Sequence, residues 1–548
     1  MQSPLDNPYY YLDNFHTVLD WVEQRYADLE LDAERAFIAQ FRTLPLPSRA
    51  LLVRLVMRKG GLFRLSQLDY AEIGPAEDAS KALIALGWLD PDPALDLAAL
   101  FRLFRKAELE TMFAQLDRAD SKAAQLEQLL EDPELHTPRR LHEWHPPCTE
   151  CVVQVAVAPL CERLRLLFFG NLHQDWTAFI LSHLGIFQYE KVAFPASARA
   201  FQSHRDVDAY IALQRARDVF EAGEPLVLVM AQMPAPFANT WLQGRRAKLL
   251  FAVAQQYERC GELDSALAAY DLATYPGARA RSIRVLELLE RPDRALALAE
   301  QACAAPENDA ELQQLARMLP RLRRKCGLPK IPAAPAPAPR RLDLHLAQPP
   351  EAYYVEDVVR AHLQAHDSAA PVYYVENALA NSLFGLLCWE AVFAAVPGAF
   401  FHPFHSAPAD LHYPDFYQRR KDLFDACLAR LDSGTHHQAM RATYESKAGI
   451  ASPFVFWGAV TPELLDLALA CIPPAHLKKW CERILADVKA HRSGFPDLIR
   501  FWPAESRYEM IEVKGPGDRL QDNQLRWLDY CARHEMPVSV CYVQWTDP

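Results

Sequence analysis

Glycine is scarce in this chain, 19 of 548 residues, about half of the roughly 7% usual in proteins. Several phosphate loops of the Rossmann type, or a large all-β barrel with many tight turns, are therefore poor candidates. Long apolar runs are missing too: none approaches the roughly 18 residues that a membrane-spanning helix needs. The opening segment MQSPLDNPYYYLDNF has neither a basic stretch nor an apolar one, so a soluble, unexported protein is expected. Basic charge is not in excess. Against 70 Asp and Glu stand 58 Lys and Arg, for a net charge of −12. Nucleic-acid binders usually show a basic balance, but binding follows the local field rather than the total, so that class stays open. The 12 cysteines are scattered without a secretory signal and read as reduced thiols of a cytosolic compartment.

What the chain does have is apolar content, 51%, and length for roughly three to four domains at about 150 residues each. Proline is plentiful at 41. It concentrates in PKIPAAPAPAP, residues 329–339, where such density keeps a chain extended. That is the clearest boundary, and it suggests four parts: a helical region 1–135, a helical region 136–328, a linker 329–342 and a final domain 343–548.

Upstream of the linker the spacing is helical. Tyr11, Phe15, Val18, Leu19 and Val22 mark a helical stretch over 8–40. Another helix through Leu51, Leu52, Leu55 and Val56 runs into Arg58-Lys59-Gly60-Gly61 and a short strand at 63–65. This order resembles a winged helix, although an ordinary helical subdomain would look the same. Over 96–130, two short amphipathic helices flank a polar turn at Asp120-Ser121-Lys122. The pattern resembles a SAP motif, with Arg102, Arg105, Lys106 and Lys122 facing DNA phosphate, although a generic helical hairpin shares it. Residues 240–325 are helical throughout. Ala266-Leu267 recurs as Ala295-Leu296, a spacing of 29, close to that of tetratricopeptide-like repeats, whose hairpins bury one face on a neighbour. The basic residues there (Arg279, Arg281, Arg284; Arg321, Arg323, Arg324, Lys325) read as solvated faces. His142, His145, Cys148 and Cys151 could bind zinc, but a lone C-x-x-C lacks the second pair of a convincing site, and incidental thiols are expected.

Beyond the linker the pattern turns to strands. GFPDLIRFWPAESRYEMIEVK, residues 494–514, predicts a strand, a turn and a second strand. Side chains alternate along a strand, which puts Tyr508, Met510, Glu512 and Lys514 on one face, with Ile511 and Val513 toward a core. Glu512 and Lys514 then lie about 6–7 Å apart, and Asp497 can approach Glu512 across the hairpin. Two carboxylates beside an ammonium suit a hard divalent cation and a phosphodiester. A helix opening at Asp518-Arg519 and running to about His534 would carry Gln521, Gln524 and Trp527, before a strand PVSVCYV. Lys489 and Arg492, just ahead of Pro-Asp, could hold DNA phosphate.

Pro-Asp, a hairpin and Glu-x-Lys, in the order strand, turn, strand, helix, strand, resemble the PD-(D/E)xK nuclease core. GFPDLI, IEVKGPGDRLQDNQLRWLDY and VSVCYV together resemble the VRR-NUC domain, and the whole chain resembles the Fanconi-associated nuclease family. The likeness is most specific over about 450–545, good over VYYVENALANSLFGLLCWEAVF (372–393) and looser upstream. It implies a multidomain fold, mostly α-helical with SAP-like and tetratricopeptide-like parts, ending in an α/β nuclease domain. It implies a metal-dependent, structure-selective DNA nuclease of repair, with 5′-flap endonuclease and 5′-to-3′ exonuclease activity and a part in unhooking interstrand crosslinks.

By the same resemblance Glu376, Asp497, Glu512 and Lys514 are catalytic. Mg²⁺ or Mn²⁺ would sit on Glu376, Asp497, Glu512 and the main-chain carbonyl of Val513, with Gln524 close by or facing DNA. Glu390 competes with Glu376, both on one predicted helix but too far apart to share a metal; family spacing selects Glu376. The ubiquitin-binding zinc finger of eukaryotic members is not seen, which points to a bacterial member acting in the cytoplasm at the nucleoid; a eukaryotic one would be nuclear. The implied partner is branched or flap DNA, with no membrane. A non-catalytic repair scaffold, or a resolvase-type or RNA-processing nuclease on the same core, are the alternatives.

Overall fold

Apolar residues at helical spacing fold as expected over most of the upstream half, but in shorter pieces. The computed structural model describes residues 7–58, 60–174, 188–329, 339–348 and 353–546; Lys59 and linker residues 330–338 lie outside them. The helical stretch expected over 8–40 is two helices, Tyr10–Tyr26 and Asp32–Thr43. They break between Ala27 and Leu31, and Leu31 donates its backbone N–H to Glu34, a cap for the second helix. Helix Leu46–Met57 leads into strand β1 (Leu62–Arg64), which pairs with β3 (Val152–Val155), while β2 (Leu89–Asp90) pairs with the other edge of β3. Over the SAP-like stretch, helices Leu97–Leu103, Lys106–Met112 and Lys122–Leu130 pack on Leu100, Phe104, Leu109 and Trp144. Asp96 and Ser121 cap the first and third.

The chain divides into two compact units: Met1–Ile186 with Phe201–Val207, and Phe187–Ala200 with Asp208–Pro548. The second holds both the helical repeats and the final domain. Its repeats are the helices Thr240–Arg259, Leu263–Leu272, Ala278–Leu288, Pro292–Ala304 and Asp309–Lys325. Ala266 and Ala295, the echoed positions, are both fully buried, so the echo is the small residue at each packed crossing. The basic residues of this region are largely neutralised within it. Arg279 pairs with Glu311, Arg281 and Arg284 with Glu258, Arg321 and Lys325 with Glu287, and Arg323 with Glu300.

The final domain is built on a five-stranded mixed sheet in the order β4-β8-β7-β6-β5. Its strands are β4 (Arg340–Ala347), β5 (Val372–Tyr374), β6 (Leu498–Trp502), β7 (Arg507–Lys514) and β8 (Val538–Thr546). The first strand thus begins within the residues read as linker. β5, β6 and β7 are antiparallel neighbours; β8 runs parallel to β7 and to β4. Both faces of β7 are buried, not one. Ile511 and Val513 pack with Val359 and Leu363 of helix Val355–His366; Tyr508 and Met510 join the main core with Trp480, Phe495 and Trp527. Two-sided burial from Met510 onward explains why apolar residues stand on both parities there, with Arg507 and Glu509 at the less buried start and Glu512 and Lys514 at the site.

Helix Leu379–Leu387 is buried all round, Asn381 and Ser382 included, which explains the apolar run from Leu383 onward. At its centre Gly385 lies so close to the loop 452–456 that a Cβ there would come within 2.7 Å of Val455 Cγ2 and 2.8 Å of Phe454 Cβ. Alanine usually favours a helix by about 1 kcal/mol over glycine, but overpacking of this kind costs about 1–3 kcal/mol. Gly385→Ala is therefore expected to lower stability by about 1 kcal/mol or more in denaturant titration. An unchanged or raised midpoint would show that the loop yields freely.

Candidate active site

Strand register brings the predicted residues to one end of the sheet. Leu498 pairs with Ile511 across the β6–β7 hairpin, so Asp497, one residue before β6, lies opposite Glu512. The Asp497 carbonyl accepts the backbone N–H of Val375 at 2.8 Å, and this ties in the segment that follows β5. Asp497 Oδ2 accepts the backbone N–H of Val513 at 2.8 Å. Glu512 Oε1 accepts from Lys514 Nζ at 2.6 Å and from Gln524 Nε2 at 2.5 Å. These groups are nearly dry: Asp497 is 6%, Glu512 1% and Lys514 8% exposed.

One atom stands out. Glu512 Oε2 is buried and has no hydrogen-bond partner in the structure. A buried carboxylate oxygen without a donor is costly. The donor set that meets it, two carboxylates and main-chain oxygen, suits a hard divalent cation. Electrostatics point the same way. Burial pushes both carboxyl groups well above the usual carboxylate range, and for Glu512 the charge of Asp497 adds to it. The Val513 N–H and Lys514 pull Asp497 back in part, and Lys514 does the same for Glu512. A divalent charge would relieve this repulsion.

Glu376 is not on a helix with Glu390, contrary to the sequence reading. It lies in the turn between β5 and helix Leu379–Leu387, while Glu390 sits on a separate short helix, Trp389–Val392, and pairs with Arg430 at 3.4 Å. The reason is local. Val372–Tyr374 are strand formers that pair with β6, and Asn377 takes a left-handed conformation, φ 53°, that breaks any helix upstream. Glu376 is exposed, and its oxygens accept from Tyr374 Oη at 2.5 Å and Asn377 Nδ2 at 3.2 Å. Its charge still raises the pKa of both Asp497 and Glu512. Among the described residues no three His, Cys, Asp or Glu side chains stand close enough together to hold a metal as they are, so Asp497 and Glu512 converge and Glu376 stands at their margin. Glu356, on helix Val355–His366, also raises the Asp497 pKa.

The helix expected from Asp518 begins at Asp522 and runs to Arg533. Asp518 instead caps the preceding turn, its Oδ2 accepting the Gly515 N–H at 3.0 Å. Gln524 closes a capping box, accepting the Gln521 N–H through its carbonyl while its amide meets Glu512.

The expected DNA-facing cations separate. Arg102 and Arg105 are exposed. Lys106 Nζ is held by the Arg118 carbonyl at 2.7 Å, and Lys122 Nζ by the Phe104 carbonyl at 2.7 Å. Lys489 is exposed beside the Tyr275 ring. Arg492 is half-buried and donates to the Pro453 carbonyl at 2.9 Å, turned toward protein. In the histidine and cysteine pattern at 142–151, Cys148 packs on the small core and Cys151 Sγ is 3.9 Å from the Pro91 carbonyl; among the described residues these side chains form no group of three close enough to hold a metal. Tyr374 and Asn377 were missed by sequence reading. Their signal was proximity, within two residues of a candidate ligand.

Comparison with known proteins then decides the family. Three family models match: "FAN1, HTH domain" over 9–90, "Fanconi anemia-associated nuclease SAP domain" over 94–144 and "VRR-NUC domain" over 432–545. The Fanconi-associated nuclease 1 homolog of Pseudomonas aeruginosa is 55% identical over 100% of this chain and 98% of its own length. The chain belongs to the Fanconi-associated nuclease family. The Arabidopsis thaliana homolog is 25% identical over 99% of this chain and 68% of its own, and human Fanconi-associated nuclease 1 is 29% identical over 34% and 19%. In structure, paFAN1 bound to 2-nt 5′-flap DNA with a gap superposes with a TM-score of 0.89 at 55% identity, covering 99% of both chains. As a Fanconi-associated nuclease this chain is a DNA nuclease of repair, a phosphodiester hydrolase that depends on a divalent metal. Its upstream HTH and SAP parts are the winged-helix-like and SAP-like regions of the sequence. No helix among the described residues is long and apolar enough to cross a membrane.

The raised carboxyl pKa values fix a pH effect on stability. With their folded pKa above the unfolded value, Asp497 and Glu512 make the native state bind more protons than the unfolded chain. Metal-free stability should then fall as pH rises from about 5 to 8. The melting temperature in EDTA should drop over that range, and Asp497→Asn should flatten the drop. A wild-type melting temperature that climbed with pH in this window would contradict the pair's shared burial.

Proposed function

We propose that this chain cuts branched DNA bearing a 5′ flap, with Mg²⁺ or Mn²⁺ held by Asp497, Glu512, Glu376 and the Val513 carbonyl. The observation that carries the reading is the dry carboxylate pair with its unpartnered Glu512 oxygen, beside Lys514 at the end of a β-hairpin. A relative of the same length and fold bound to 5′-flap DNA supports the substrate. When bound, the cation supplies Lewis-acid stabilisation of phosphate charge and a more acidic water.

The protein's own residues do the rest. Asp497 is aimed by the Val513 N–H. Glu512 is fixed by Lys514 and Gln524, which leaves its second oxygen turned away from any protein donor. Lys514 is placed to orient the attacking water. Tyr374 and Asn377 hold Glu376 at the margin of the pair. Exonuclease action from 5′ to 3′ and unhooking of interstrand crosslinks follow from the family resemblance, as does action at the nucleoid. For backbone contact we propose Arg102 and Arg105 upstream and Lys489 near the site, since these stay exposed. Lys106, Lys122 and Arg492 already hold carbonyls and would have to let go of them. The division at 135, 328 and 342 remains our proposal for how the chain is organised around these tasks.

Two outcomes test this. Asp497→Ala or Glu512→Ala should reduce cleavage of an end-labelled flap by at least about a hundredfold, with DNA affinity within a few fold. Retention of a tenth of wild-type turnover in both variants would overturn the site. Arg102 and Arg105 changed together to Ala should weaken flap binding and make the log–log salt slope shallower by about 1.8, roughly 0.9 per lost phosphate contact. An unchanged slope would remove these two from the DNA interface.

A further inference from the structure

One face of the last repeat helix carries Asp309, Gln313 and Arg317 at i, i+4 and i+8, and all three reach the final domain. Arg317 makes a two-pronged ion pair with Asp522, at 2.8 and 2.5 Å. Gln313 accepts from Arg526 Nη1 at 2.6 Å and donates to the Asp522 carbonyl at 3.4 Å. Asp309 accepts from Arg483 at 3.0 Å. Arg483 is buried against the rings of Trp527 and Tyr530 and donates its other nitrogen to the Arg526 carbonyl at 3.0 Å. Every one of these contacts falls on, or just behind, the helix Asp522–Arg533.

The start of that helix is gripped from a second side. Gly494, with φ 93°, packs so tightly on it that a Cβ would come within 2.9 Å of the Asn523 carbonyl carbon. Gln524, one residue further, is the residue that donates to Glu512. Asp522 is the first residue of the helix, where its negative charge also suits the helix dipole.

The geometry points to Arg317, with Gln313 and Asp309 beside it, as a positioning element for the nuclease reaction: the repeat helix fixes the helix that sets Gln524 on Glu512. The inference rests on Glu512 belonging to the active site as proposed above. The interaction spans about two hundred residues of sequence and crosses the proline linker, so no motif announces it. An isolated domain from residue 343 onward would lack the whole stripe. The pair is half-exposed, and exposed ion pairs are individually weak. The bidentate geometry and the neighbouring Gln313 and Asp309 contacts make the grip a set rather than a lone pair. Its effect is therefore expected on the placement of Gln524 more than on folding.

The test uses the full chain, with Arg317→Glu, Asp522→Arg and the exchanged double variant. Single-turnover flap cleavage and calorimetric Mn²⁺ titration are the readouts. Each single variant should slow cleavage about five- to tenfold and weaken Mn²⁺ binding about threefold, with flap affinity within about twofold of wild type. The double variant should recover to within about threefold, since the charges pair again in reverse. Singles indistinguishable from wild type would overturn the inference. So would singles that are slow without loss of Mn²⁺ affinity, or a double variant no faster than the singles. Glu512→Gln in the same assay separates the two readings. If it cuts at the wild-type rate, the site itself is misassigned. If it is inactive while the Arg317 and Asp522 variants are normal, only the positioning role fails.

Discussion

Burial of two carboxylates in one β-hairpin is the constraint around which the final domain is arranged. Asp497 and Glu512 are taken out of water opposite each other across the hairpin, at the end of a strand covered on both faces. Neither charge is tolerable there without partners. The partners are specific: the Val513 N–H for Asp497, and Lys514 and Gln524 for one oxygen of Glu512. The remaining oxygen of Glu512 lacks one. Other buried polar atoms of the domain also lack a partner, but this one belongs to a carboxylate facing a second buried carboxylate, which is the arrangement a cation would satisfy.

The supports of that pair come from distant parts of the chain. Asn377, left-handed, donates to Glu376 and accepts the Phe495 N–H at 3.2 Å, stitching the turn after β5 to the segment before Asp497. Asn381 bonds the Asn377 carbonyl at 2.5 Å and the Arg492 carbonyl at 2.8 Å. Trp527 donates to the carbonyls of His491 and Ser493, which locks the helix bearing Gln524 to the same loop. The chemistry sits on short elements, and their precision comes from polar ties between them.

Much of this was legible in the sequence. Pro-Asp and Glu-x-Lys fixed the hairpin because period-two alternation and a turn at Pro503 leave little choice of register. The repeat helices were legible through small residues at packed positions. Family spacing selects Glu376 as a candidate, but its local structure differs from the sequence reading: Val-Tyr-Tyr is too short to separate a strand from the start of an apolar helix. The helix start at Asp518 failed for a related reason, since Asp caps turns as readily as helices. Contacts such as Arg317 with Asp522, and the neutralisation of repeat arginines by Glu258, Glu287 and Glu311, carry no sequence signal at all. Internal pairing of that kind shows why a net charge of −12 says little about which cations are left to meet DNA.

The most direct measurement is the number of protons released when Mn²⁺ binds, from calorimetric titrations near pH 6.5 in buffers of different ionisation enthalpy. With both carboxyl groups held above the usual range, binding should release about one proton per ion, and the release should disappear in Glu512→Gln. Binding of Mn²⁺ with no proton release, or release unchanged in Glu512→Gln, would contradict a cation site built on the buried pair.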